Sequence, residues 1–395
     1  MVKILFYFAV VASLISQLPM VLESGLDQYL KLSWIPVTVL LILLHPSDIA
    51  DKRLHFFYYF ILIFGWYQFI LEACTTRTYL KNGGDFYNIV ISLLIFIDCF
   101  IFWKRYASKE IYKNIIIIVL IGCSILATVV YFFFLQYMDM DSTTYGYDAK
   151  NSLAQILFVG GVMGLLGIKL YKDKISRIFV VASIMVLLVV IMLLKSRATI
   201  MCVGLVVLFY IFKYGTKKIR QIVTLGTIMS VLLILMNKSL YKLFVVNILF
   251  ANRDASSLSN LSSGRSDLIL KALKLIDDNW LFGVGHKYLD CMPIAIQLQY
   301  GVVGLIIVMG FLIILSYKVI RLRHNNIINV TAFLIYWSYI VNSLFEAYPP
   351  FGPGVKCFPL WMLLGFALSN SLIQRKNTNC KHVSHSLSVW VDRQE

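Results

Sequence analysis

The chain has 395 residues, 59% of them hydrophobic and 14% charged, with 36 Lys and Arg against 20 Asp and Glu and a net charge of +16. Its mean hydropathy of +0.79 is carried in apolar runs near the ~20 residues needed to cross a bilayer, which excludes a soluble core and points to a polytopic membrane protein. The runs are continuous rather than alternating, so an all-α transmembrane bundle is predicted instead of a β-barrel, because only structures that satisfy their own backbone hydrogen bonds span lipid.

In chain order, about twelve spans are predicted on that ~20-residue criterion, at 4–22, 32–45, 55–73, 86–103, 114–136, 152–169, 178–194, 198–213, 220–236, 292–316, 328–345 and 356–374. The first run resembles a secretory signal, but it is long, lacks a small-residue cleavage site and is followed directly by further spans, so it is predicted to be retained. With the amino terminus inside and spans alternating, most basic residues fall in inner loops, among them Lys52, Arg53, Lys104, Arg105, Lys109, Lys113, Lys213, Lys217 and Lys318. Insertion requires that bias. An even spread over membrane-flanking positions is not the patch or stripe of a nucleic-acid-binding protein, so no nucleic-acid role is expected.

The seven cysteines form no disulfide framework: Cys99, Cys123 and Cys202 fall within spans, Cys380 in the tail, and only Cys74 and Cys291 near the outer face. No metal-ligand spacing occurs, and neither a metal nor another cofactor is expected. Asp98 is the most embedded carboxylate, near the inner end of a span within reach of Lys104 or Arg105. It is assigned no catalytic role.

Polar chemistry is expected at the outer face. Lys150 and Asn151 open a span there, where Asn151 caps the helix or hydrogen-bonds a substrate. The outer turn Lys195-Ser196-Arg197 runs against the positive-inside bias and sits at phosphate depth. Such cations either snorkel to headgroups or bind a substrate phosphate, and of the two Arg197 has the bidentate geometry.

The long outer loop, 237–291, is predicted to carry short amphipathic helices. Residues 240–250 form an interfacial helix or extend the preceding span, and 254–263 form a serine- and asparagine-rich turn region. From Ser266, Ile269, Ala272, Leu273 and Ile276 recur at helical spacing, with Gly264 leading in, so Arg265 stands at a helix amino terminus, where free amides and a guanidinium converge on an anion. A solvated arginine paired with Asp267 has the same signature. Behind Phe282-Gly283-Val284-Gly285 comes His286, the single histidine available outside, suited to accept a proton from a sugar hydroxyl or to serve as an interface polar group. Glu346 precedes an outer loop stiffened by Pro349, Pro350 and Pro353, whose Tyr348 and Phe351 suit sugar stacking or a rigid turn. The domain reading is one transmembrane domain over 1–376 and a disordered cytoplasmic tail at 377–395.

Taken in order, Lys150-Asn151-Ser152-Leu153-Ala154, Ser196-Arg197, Ser263-Gly264-Arg265, Trp280 with Leu281-Phe282-Gly283-Val284-Gly285, His286, Tyr300-Gly301-Val302-Val303-Gly304-Leu305 and Asn342-Ser343-Leu344-Phe345-Glu346 resemble the O-antigen ligase and polymerase superfamily, membrane glycosyltransferases of the Wzy and WaaL type. The resemblance covers roughly 140–350; the first five spans match only as generic hydrophobic helices. It implies metal-independent glycan transfer from undecaprenyl diphosphate on the outer face of the bacterial cytoplasmic membrane, with both termini cytoplasmic. By the same resemblance Arg197 and Arg265 bind the diphosphate and His286 activates the acceptor, a role that can pass to Asp290 or Glu346 because His286 stands closer to the Gly-Val-Gly turn than the family residue often does. Lys150, Asn151, Lys195, Arg253 and Tyr348 are expected to bind substrate. Arg253 and Gly264 also frame an arginine, ten residues, glycine pattern known in some polymerases, which abundance alone also produces. Expected partners are the lipid-linked glycan, membrane lipids, a chain-length regulator and a flippase. Within the class the competitor is a ligase acting on a lipid A core. Outside it stands a transporter, which would show repeats, interrupted helices and midplane charges.

Overall fold

The computed structural model describes residues 1–75, 79, 84–136, 147, 149–214, 216–249, 264–322, 326–346, 350–352 and 354–370. Among them every regular element is helical. The principal helices are α1 (Val2–Ile15), α2 (Trp34–Leu44), α3 (His55–Cys74), α4 (Gly84–Tyr106), α5 (Lys109–Val130), α6 (Lys150–Gly167), α7 (Lys174–Leu193), α8 (Arg197–Tyr214), α9 (Lys217–Met236), α10 (Arg265–Asp278), α11 (Met292–Ile320), α12 (Ile327–Asn342) and α13 (Val355–Asn370). Seven helical stretches are long and apolar enough to cross a membrane, and an eighth counts if a bent pair is one span. The chain is therefore a multi-pass helical membrane protein.

Helix boundaries follow local chemistry. Ser108, Asp173 and Asn326 accept the N–H of Ile111 (3.1 Å), Ser176 (2.7 Å) and Asn329 (2.9 Å) and so start α5, α7 and α12. The predicted span 4–22 is instead two pieces: α1 covers fourteen residues and a short helix restarts at Pro19. Proline lacks an N–H and pushes Leu18 to extended backbone, which ends the first helix. The second run is longer than expected, because Asp27–Lys31 joins α2 in an eighteen-residue stretch. Beyond α9 the chain neither continues straight nor starts afresh: Arg220–Met236 and Lys238–Asn247 meet at 101°. There Asn237 takes the N–H groups of Ser239 and Leu240 and begins the new turn.

The core is built from rings and small residues. Phe6 stacks on Phe102, Phe57 on Phe96 and Phe60 on Phe311, each at 3.9 Å between centroids. On α6, Gly160, Gly164 and Gly167 let α5 approach through Cys123, Leu120 and Ile116, where side chains would collide. The six described cysteines are free thiols. Asp98 does not pair with Lys104 or Arg105. Thr38 donates to it at 2.7 Å, because Arg105 lies two turns along the same helix, about 10 Å away, and Lys104 lies on another face. Those cations pair with Asp48 and Asp51 instead: Lys104 at 3.0 and 2.8 Å, and Arg105 to Asp48.

α11 is interrupted. Gly301 sits at φ 66°, ψ −170° inside it, which frees carbonyls that the segment before the helix takes up. Val284 N–H donates to Leu298 O at 2.7 Å, Gly285 N–H to Gln299 O at 3.2 Å, and Val302 N–H to Trp280 O at 2.8 Å. Gly283 and Gly301 face each other across this pairing. A Cβ on either would meet the other segment's backbone, and both have positive φ, so glycine is required twice over. The Gly-Val-Gly and Tyr-Gly-Val-Val-Gly motifs are thus two halves of one latch.

Candidate functional site

The latch fixes the segment 280–290, which follows the carboxyl end of α10, against α11. On α10, Ala272 and Ile276 are buried with Ile269 and Leu275 beside them, against Leu289, Ala295 and Leu298. Leu273 is exposed rather than on the packed face; Leu275 takes that place. Gly264 is the N-cap, leaving Arg265 in the first turn.

Arg265 is not a solvated arginine. Its Nε donates to Asp290 Oδ2 at 2.9 Å and its Nη2 to Glu346 Oε1 at 3.3 Å. The same Glu346 oxygen accepts from Asn151 Nδ2 at 2.6 Å, and Tyr288 donates its hydroxyl to the other Asp290 oxygen at 2.7 Å. Four chain segments therefore converge: the start of α6, the start of α10, the segment before α11 and the end of α12. Met292 N–H, at the start of α11, donates to Ser343 O at 2.8 Å and brings the last two together.

Glu346 is 5% exposed. Burial raises its carboxyl above the usual carboxylate value; the charges of Lys356 and Arg265 pull the other way, while Asp290 pushes with burial. Burial, with the bond to Asp290, also raises the Tyr288 phenol. The result is a carboxylate pair sharing one guanidinium, an arrangement that can exchange for a phosphate or hold an acceptor proton.

Asn151 does not cap its helix, whose N-cap is Ala149 without a side-chain bond; it reaches Glu346. Lys150 is partly buried beside it. Arg197 opens α8, and Cys202 of α8 contacts the Ser338 carbonyl of α12 at 3.3 Å, so the two antiparallel helices place Arg197 at the same end of the bundle as Glu346. Lys195 is 2% exposed and has φ 50°, a conformation rare for lysine. Beside it, the buried Ser196 and Thr199 hydroxyls bond at 3.0 Å.

His286 is exposed, and the two ion pairs of Arg265 go to carboxylates rather than toward the histidine. Phe351 is 4% exposed and stacks on Trp361 at 5.4 Å, so it serves the turn, not a sugar. Arg253, Tyr348, residues 254–263 and the predicted tail at 377–395 lie outside the described residues. Two site members were missed as such. Tyr288 stands two residues from Asp290 and bonds to it, and Lys356 is a lone cation before an apolar run. Among the described residues, no three His, Cys, Asp or Glu side chains converge as metal ligands. No protein-family model and no curated protein matches the chain.

Proposed function

We propose that the chain is a membrane glycosyltransferase that polymerises undecaprenyl-diphosphate-linked repeat units into O-antigen, capsular or exopolysaccharide. The supporting observation is Arg265 at a helix amino terminus, held between Asp290 and Glu346 at one end of the bundle. In this reading that end faces outward, twelve spans leave both termini in the cytoplasm, and the opposite end with Lys104 and Arg105 faces the cytoplasm, as the positive-inside rule requires. A phosphate group replaces carboxylates on Arg265, with Arg197 completing the diphosphate site. A carboxylate of the pair takes the proton of the acceptor hydroxyl, whose oxygen bonds to the anomeric carbon. The carbon–oxygen bond to the diphosphate breaks, and the leaving group's charge falls on the guanidiniums. Glu346 and Asp290 are better placed for the proton than His286, because both already contact Arg265.

Deleting the gene in its host and complementing with wild type or Arg265→Ala tests the reading through the surface glycan on a gel. Loss of the long ladder with single repeats still attached supports the polymerase; bare acceptor with accumulating lipid-linked polymer supports a ligase. A normal ladder in both strains removes the enzyme reading. The interrupted α11 and the 101° break after α9 favour transport instead, but the carbonyls freed in α11 are occupied by Val284 and Gly285 N–H groups, not open to an ion.

A further inference from the structure

Tyr288 brings an aromatic ring to the site without enclosing it. The residue is 67% exposed, while Leu289 beside it is 3% exposed and packs with Ala272 and Ile276 of α10 and Ala295 and Leu298 of α11. The backbone before the ring is anchored to α11: Gly285 N–H donates to Gln299 O at 3.2 Å, and Gln299 Nε2 donates to Lys287 O at 2.5 Å. The ring is tied at its far end as well. Its hydroxyl donates to Asp290 Oδ1 at 2.7 Å, and the other oxygen of that carboxylate takes Arg265 Nε at 2.9 Å. One carboxylate therefore separates the phenol from the guanidinium.

A single exposed aromatic is ordinary on a protein surface, and a tyrosine that only anchors a segment among lipid headgroups turns its hydroxyl to the wet side. Tyr288 instead gives its hydroxyl to Asp290 and leaves the rest of the ring open. Held at both ends, the side chain is restrained before any ligand arrives, so a group that packs on it loses little in ordering it. A pyranose suits such a surface, with an apolar C–H face to lie on the ring and hydroxyls at its rim. We infer that Tyr288 is the platform for the sugar that the diphosphate carries: with phosphate on Arg265, the first sugar of the lipid-linked donor lies across the open ring. The inference rests on the phosphate reading of Arg265, and it makes Tyr288 a residue that selects the glycan rather than one that reacts.

The test uses the purified full chain in lipid nanodiscs and two kinds of probe: the repeat-unit oligosaccharide released from the host's surface glycan, and undecaprenyl diphosphate with and without that unit attached. Saturating the aromatic protons of wild type is expected to transfer magnetisation to the C–H protons of the free oligosaccharide. Tyr288→Ala loses this transfer, whereas Tyr288→Phe and Tyr288→Trp keep it. By calorimetry, Tyr288→Ala weakens the sugar-bearing lipid about tenfold, the upper end for one aromatic contact, and leaves bare undecaprenyl diphosphate unchanged. No transfer in wild type, or its retention in Tyr288→Ala, overturns the inference. An equal loss for the lipid with and without its sugar does the same, because the effect then runs through Arg265. So does a loss in Tyr288→Phe as large as in Tyr288→Ala, since the hydroxyl and not the ring is then what matters. If undecaprenyl diphosphate binds wild type and Arg265→Ala alike, the phosphate reading of Arg265 fails, and saturation transfer to the free oligosaccharide still decides the role of Tyr288.

Discussion

At one end of the bundle Asp48 and Asp51 face Lys104, Arg105 and Arg53; at the other, Asp290 and Glu346 face Arg265, with Lys356 at a distance. The side chains of Asp48 and Glu346 are about equally enclosed, 4% and 7% exposed, so enclosure alone does not separate them. Burial acts to raise both carboxyls. Hydrogen bonds and charge from Arg105 and Lys104 overturn it at Asp48 and leave that group below the usual carboxylate range, while Glu346 stays above it. A carboxylate saturated with cations is a fastener. One that shares its arginine with a second carboxylate retains chemistry.

The sharpest way to break that contrast is Arg265→Ala, expected to lower glycan transfer by about 10²–10³-fold, as the loss of one preorganised donor does, read from the ladder or a transfer assay. An equal loss from Lys104→Ala would erase the distinction between the ends. Gly301→Ala comes next: its Cβ meets the Leu281 and Phe282 backbone and its φ is strained for alanine, at a cost of about 1–3 kcal/mol in a thermal melt, with transfer lost because the latch holds the segment that leads to Asp290. Asp48→Asn is expected to cost about 1–2 kcal/mol and to leave transfer intact. The pH dependence has a fixed sign. Because the folded Asp48 and Asp51 titrate below their usual values, their stabilisation is full above the usual carboxylate range and is lost as pH falls through the lowered values, so wild-type and Asp48→Asn melting temperatures converge on acidification. Glu346 behaves oppositely, its contribution declining as pH rises through its raised value. His286→Ala is expected to change transfer less than about tenfold, below the ~10²-fold that a general base supplies at the least. A divalent-metal chelator is expected to change nothing, and strict dependence on a divalent ion would remove the two-arginine mechanism.

The helices were legible because most apolar runs are long and some starts carry a capping residue, Ser108, Asp173 and Asn326 among them. The breaks were harder to read. Pro19 announces one, but Gly301 interrupts a helix only because Gly283 comes to meet it, and that pairing is tertiary. The site divides the same way. The placement of Arg265 at a helix start follows from local pattern, whereas its bond to Glu346 spans 81 residues and that of Asn151 spans 195, separations at which a sequence names candidates without joining them. His286 drew attention as the available outer histidine; the carboxylates Asp290 and Glu346, each named as an alternative, are the groups that meet the arginine.

The latch also sets an order of events. Tyr67 of α3 donates to Tyr300 O at 2.6 Å and Tyr79 to Phe282 O at 3.1 Å, across 233 and 203 residues. Both hydroxyls are synthesised long before their acceptors exist, and a hydroxyl left without a partner in an apolar medium costs a few kcal/mol. Tyr67 lies in α3 and Tyr79 in the segment after it, so both donors precede the late, site-bearing segment that supplies their acceptors in the folded bundle. A chain truncated before residue 280 lacks those acceptors however well its first helices insert. The contacts that finish the site are the same ones that complete the assembly of the bundle.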